Sequence, residues 1–144
     1  MAATDGDDAL RVADIVAGLS ANLIVNGSFE QFDPASGSDQ GGWWNVASIP
    51  GWRETQGALF EIVYSNDQVQ PSEGSNWLDL DGQGYNKHIA QTIGGLTAGE
   101  QLLLRFDYAN RTTPESGSFD VIWNGAVIAS INDGTLAMRT AGLL

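Results

Sequence analysis

From Glu100 to Asn110 the chain alternates strictly. Leu102, Leu104, Phe106 and Tyr108 fall on one side of a period-two ladder, and Leu103, Arg105, Asp107 and Ala109 on the other. A helix would scatter that apolar set around its axis, so the segment reads as a half-buried strand, the longest in the chain. Asn124-Gly125 adds a second constraint. These two residues separate the runs Phe119 to Trp123 and Ala126 to Ile131, and Asn-Gly is the preferred chemistry of a type I′ hairpin, which needs positive φ at both central positions. A half-covered strand followed by a tight hairpin points to antiparallel β-structure.

The remaining segments agree. Asn22 to Glu30 (N-L-I-V-N-G-S-F-E) reads as an opening strand, with Leu23 and Val25 on one side, Ile24 on the other, a turn or bulge at Asn26-Gly27, and Phe29 returning to the core. Gln31 to Gly42, rich in Gly, Ser and Asp, is a loop, and so is Gln70 to Ser75. Ala58 to Tyr64 is a strand. In Asn76 to Asp81, Leu78 and Leu80 face inward while Trp77, Asp79 and Asp81 share the opposite face. Lys87 to Ile93 is a further strand. About seven short strands divided by Gly-rich turns predict an all-β fold, an antiparallel β-sandwich of the jelly-roll kind, over residues 22–144. Residues 1–21 stand apart as a leader or linker. There Leu10, Val12, Ala13, Val16 and Leu19 recur at three to four residue spacing, which suits a short N-terminal amphipathic helix.

Charge narrows the partners. Eighteen acidic against six basic residues give a net charge of -12, which argues against nucleic acid and anionic lipid, since both require clustered Lys and Arg. No apolar run approaches the roughly 20 residues needed to span a bilayer, so no membrane insertion is expected. With no cysteine, redox compartment is left open. Met1 to Asp8 lacks the basic start and apolar centre of a secretory signal.

In order, N-L-I-V-N-G-S-F-E, I-P-G-W, F-E-I-V, P-S-E-G-S-N-W-L-D-L-D-G, I-A-Q-T-I, L-T-A-G-E-Q-L-L-L-R-F-D-Y-A-N-R and V-I-W-N-G resemble the galactose-binding-like jelly-roll domains. The likeness runs from Asn22 to about Ile131 and is closest to a family of plant cell-wall and bacterial extracellular proteins of unknown function. It implies a secreted or surface-displayed, non-catalytic module, often a carbohydrate-binding one, with a polysaccharide or glycan as partner. It also implies that Glu30 helps hold a structural calcium ion, together with acidic and backbone oxygens near the final strand. After Ile131 this chain reads N-D-G-T-L-A-M-R-T-A-G-L-L, so the family's closing strand is expected to be missing or atypical. An unclosed sheet leaves a free edge, through which a homo-oligomer could form.

A sugar site needs hydrogen-bonding side chains and an aromatic face that converge. The candidates are Trp77, Asp79 and Asp81 on one strand face, Arg105 and Asp107 on another, Trp43 projecting after Gly41-Gly42, and Tyr85 in a glycine-flanked loop. Arg105 and Asp107 are equally well read as a polar network under a loop. Trp52 reads as core, Trp123 as structural, and Arg111 as the anchor of the following loop. The lone His88 reads as a strand residue that satisfies a hydrogen bond. A structural, self-assembling extracellular domain is the alternative to a glycan binder.

Overall fold

The computed structural model describes residues 2–5, 8–17, 21–56, 59–65, 69–82, 86–110, 117–132 and 137–143. Among these the regular elements are strands, apart from one 3-10 turn at Pro34–Ser36. In chain order they are β1 (Ala2–Asp5), β2 (Asp8–Ala17), β3 (Ala21–Asn22), β4 (Gly37–Asp39), β5 (Trp43–Val46), β6 (Arg53–Glu54) and β7 (Phe60–Val63). They continue as β8 (Trp77–Asp79), β9 (Ile89–Ala90), β10 (Leu102–Asn110), β11 (Ser118–Trp123), β12 (Ala126–Asn132) and β13 (Ala137–Leu143). The pairings are antiparallel. The larger sheet runs β13-β10-β2-β8-β7-β5-β4 with β3 attached to β2, the smaller runs β1-β11-β12, and β6 pairs with β9.

The alternation of β10 is realised as read. Leu102, Leu104, Phe106 and Tyr108 are all buried, and they share one core with Val46, Phe60, Ile62 and Leu78 of the same sheet and with Phe119 and Val121 of β11. The larger and smaller sheets therefore close on each other as a sandwich. Their closest aromatic contacts are edge-on, Tyr108 to Phe119 at 5.3 Å and Phe106 to Phe119 at 5.7 Å between ring centroids. The hairpin also forms as read. Trp123 pairs with Ala126, and Asn124 (φ 48°) and Gly125 (φ 81°) supply the two left-handed positions.

Three expectations are corrected. The N-terminal helix is a strand: Asp8–Ala17 lies between β10 and β8, with Ala9 in register with both Ala109 and Asp79. Apolar residues at Leu10, Val12, Ala13 and Val16 satisfy either period over so short a run, and the main-chain groups along β10 need a partner that a helix cannot provide. A strand does follow Ile131: β13 pairs with β10 from Tyr108↔Ala137 to Leu103↔Leu143. β10 is thus covered on both sides, and the free edges lie elsewhere.

The third correction concerns Asn22 to Glu30, which is mostly a turn. Only Asn22 belongs to a strand, and Asn26 (φ 53°) and Phe29 (φ 62°) adopt left-handed backbone. Leu23 and Ile24 both pack on the core, while Val25 is 55% exposed. A side chain replaces the missing strand neighbour: Gln91 accepts from the Val25 N–H (2.7 Å) and donates to its carbonyl (3.0 Å). Asn26 closes the turn in the same way against both main-chain groups of Gln31. Trp52 is core, as read, with its ring 5.5 Å from Phe29 and its indole N–H on the Asn26 carbonyl.

Because Phe119 joins both sheets, Phe119→Ala is expected to cost about 3–5 kcal/mol of stability, measured by urea unfolding, with the folded circular dichroism spectrum retained.

Candidate functional site

Directly opposed residues in antiparallel strands project to the same side, so register decides which side chains share a face. One row across the larger sheet is Asn45, Glu61, Asp79, Ala9 and Ala109, and a second is Trp43, Val63 and Trp77. Arg105 and Asp107 alternate with the core-facing residues of β10 and belong to the same side as Ala109. The structure therefore brings Trp43, Trp77, Asp79, Arg105 and Asp107 onto one face, the one turned away from the shared core.

Most of that face is not open to solvent. Trp77 (1% exposed) packs with Val63, Val69 and Ala109, and Asp79 is equally buried. Glu61 and Asp107 are buried as well, leaving Arg105 exposed and Asp81 half-buried. Val69 packs against Trp77 and Lys87 stands near Asp79, so both residues are largely shielded from solvent. Tyr85 and Arg111 lie outside the described residues. His88 contributes its backbone, donating to Glu54 and accepting from the Thr55 N–H.

Lys87, fully buried, explains the fate of the carboxylates. Its ammonium donates to the Gly82 carbonyl, and its amide N–H to the Leu80 carbonyl at 2.7 Å. Desolvation lowers its pKa, opposed by the nearby charges of Asp79, Glu61, Asp81 and Glu54. Asp79 also accepts from the Asp81 N–H, closing the strand end. Asp79 and Asp81 therefore belong to a group of carboxylates whose charges act on Lys87. Sequence spacing alone offered no sign of Lys87, since nothing local marks that lysine as buried.

Beside this cluster lies an open polar groove of about 410 Å³. Its walls come from Tyr64 and Ser65 at the end of β7 and from Gln70, Pro71 and Ser75 in the following loop, with Trp77 as part of its lining. Glu30 fastens one wall. Its Oε1 accepts from the N–H groups of Ser75 (2.7 Å) and Asn76 (2.8 Å), and its Oε2 from the Asn76 side-chain amide (3.1 Å). Gly74 (φ 71°) crosses so close that a Cβ there would meet Glu30 Oε1 at 2.3 Å, so no larger residue fits without moving the clamp. The groups gathered on Glu30 are N–H donors, the wrong polarity for a cation. Among the described residues, no group of three or more His, Cys, Asp or Glu is placed to hold a metal. The surroundings of Glu30 fit a loop clamp and do not fit a calcium cage.

The opposite wall rests on Asp39, whose Oδ1 accepts from the Tyr64 hydroxyl (2.7 Å) and the Gly41 N–H (2.9 Å). Tyr64 and Ser65 also donate main-chain N–H groups to the Gly42 carbonyl. Trp43, 38% exposed, stands on the same sheet face as Trp77 across two strand spacings, about 10 Å. Sequence reasoning found Trp43 but missed Tyr64 and Asp39. The available signal was an aromatic residue directly after the buried run Phe60–Val63, where the chain leaves the sheet.

The Tyr64 bond holds Asp39 below the usual carboxylate range, and Asp39 in turn raises the Tyr64 phenol above its ordinary 10.0. The link is therefore present between these limits. It is lost as pH falls below the ordinary Asp39 value of 3.8, or rises past 10.0 through the raised Tyr64 value. In Asp39→Asn the Tyr64 phenol is expected to titrate at lower pH than in the parent chain, read as phenolate ultraviolet absorbance with Tyr64→Phe subtracted.

Among the described residues, no helix is long and apolar enough to cross a membrane. No protein-family model matches the chain, and no solved structure matches it. It is similar to part of a multifunctional-autoprocessing repeats-in-toxin protein of Vibrio vulnificus, at 29% identity over 121 residues. The matched stretch covers 76% of this chain and 2% of that protein.

Proposed function

We propose that this chain is an extracellular, non-catalytic module of the galactose-binding-like jelly-roll kind that binds carbohydrate. The observation that carries the reading is the groove. Hydroxyl and amide groups of Tyr64, Ser65, Gln70 and Ser75 surround a space of sugar size, and the exposed indole of Trp43 lies farther along the same face. The Glu30 clamp and the Asp39–Tyr64 bond hold both walls before a ligand arrives, which lowers the ordering cost of binding. We read the module as non-catalytic because its carboxylates have other duties. Glu30 holds a loop, Asp39 orients Tyr64, and Glu61 and Asp79 surround Lys87. A partial likeness to a toxin is compatible with work outside the cell that makes the protein. On a glycan array, Trp43→Ala and Tyr64→Phe are each expected to weaken the strongest signal by up to about tenfold. Unchanged binding in both would remove the groove from the site.

One observation favours self-assembly as a second reading. β12 is the outer strand of the smaller sheet, carries no charged residue, and exposes Val127 (56%) and Ile128 (42%). Such an edge lacks the charges that ordinarily discourage strand pairing. On this reading, light scattering at micromolar concentration gives a mass above the monomer, and Ile128→Lys returns it to the monomer. A monomeric parent chain would count against it.

A further inference from the structure

The groove's chemistry discriminates among sugars. We propose that it takes neutral glycan chains and turns away those bearing carboxylate or sulfate groups, an inference that rests on the carbohydrate reading above. Its described lining is uncharged: Tyr64, Ser65, Gln70 and Ser75 offer hydroxyl and amide groups, while Pro71 and Trp77 add apolar surface. No described basic side chain lines it.

Carboxylates stand around it instead. Asp39 sits on the Tyr64 hydroxyl and is held ionised by the bonds from Tyr64 and Gly41. Glu30 lies behind Ser75, and Glu73 belongs to the same exposed loop. An acidic sugar in the groove would meet like charges at short range in a chain whose net charge is -12. The neighbouring cations among the described side chains do not offset them. Lys87 is fully buried among Asp79 and Glu61, and Arg105 stands on β10, two strand spacings, about 10 Å, from the strand at the groove's floor. A neutral sugar meets no such repulsion.

A panel of neutral and acidic glycans matched in length separates the outcomes. The full chain is screened at low and at high salt, and the strongest ligand of each class is titrated by calorimetry. The expected result is that neutral glycans bind, acidic ones bind roughly tenfold more weakly or worse at low salt, and the gap shrinks as salt screens the carboxylates. Glu73→Lys should narrow the same gap while leaving the neutral affinity unchanged. Equal affinity for both classes at both salt concentrations, or preference for acidic glycans, would overturn the selectivity and leave the carbohydrate reading standing. Absence of binding across the whole panel would overturn the carbohydrate reading, and the selectivity with it.

Discussion

The fold depends on a contact among three aromatic rings. Phe106 and Tyr108 project from the larger sheet and Phe119 from the smaller, with all three buried and mutually in ring contact. A sheet with one apolar face cannot stand alone in water, and here each sheet supplies the other's cover. Once β10 is fixed by that contact, its main-chain groups on both sides must be satisfied in a buried setting. β2 and β13 meet that requirement, one from each end of the described chain. The chain's outer segments are thus drawn in by unsatisfied hydrogen-bonding groups more than by their own preference for strand.

The side of the larger sheet away from the core follows different physics. Burying Glu61 and Asp79 there is tolerable because Lys87 is buried near them. The loop before β8 is fixed by the opposite device, an exposed carboxylate at Glu30 that accepts three N–H bonds. The groove lies between that loop and the end of β7 at Tyr64 and Ser65, which Asp39 holds from the other side. Phe29, directly before Glu30, is held at φ 62°, a conformation unfavourable for an aromatic residue. Its side chain is fully buried against the core, which holds the turn in place and aims Glu30 at the 74–76 loop. Core packing and the groove wall are therefore joined through adjacent residues.

Much of the strand framework was legible locally. The Leu102 to Tyr108 alternation, the Asn124-Gly125 turn and the core position of Trp52 depend on residues close in sequence, and each is found as read. The site was legible only in part. Alternation correctly assigned Trp77 and Asp79 to the face away from the core, and register then joined them with Arg105 and Asp107. It could not reveal that Val69 and Lys87 cover that face, since both arrive from loops whose paths no periodicity describes.

By itself, then, the sequence determined that the chain is β, antiparallel and acidic, because side-chain period, turn chemistry and charge are local or additive properties. Tertiary structure decided the rest. The apolar stretch at Leu10 to Val16 became a strand because β10 offered a hydrogen-bonding edge. The segment around Leu23 to Phe29 became a turn because Gln91 and Asn26 satisfied its backbone without a neighbouring strand. Glu30, read as a metal ligand, became a loop clamp because the groups that reach it are N–H donors from residues more than forty positions away in sequence. Such outcomes turn on which polar group finds which partner in three dimensions, and that pairing exists only once the chain has closed on itself.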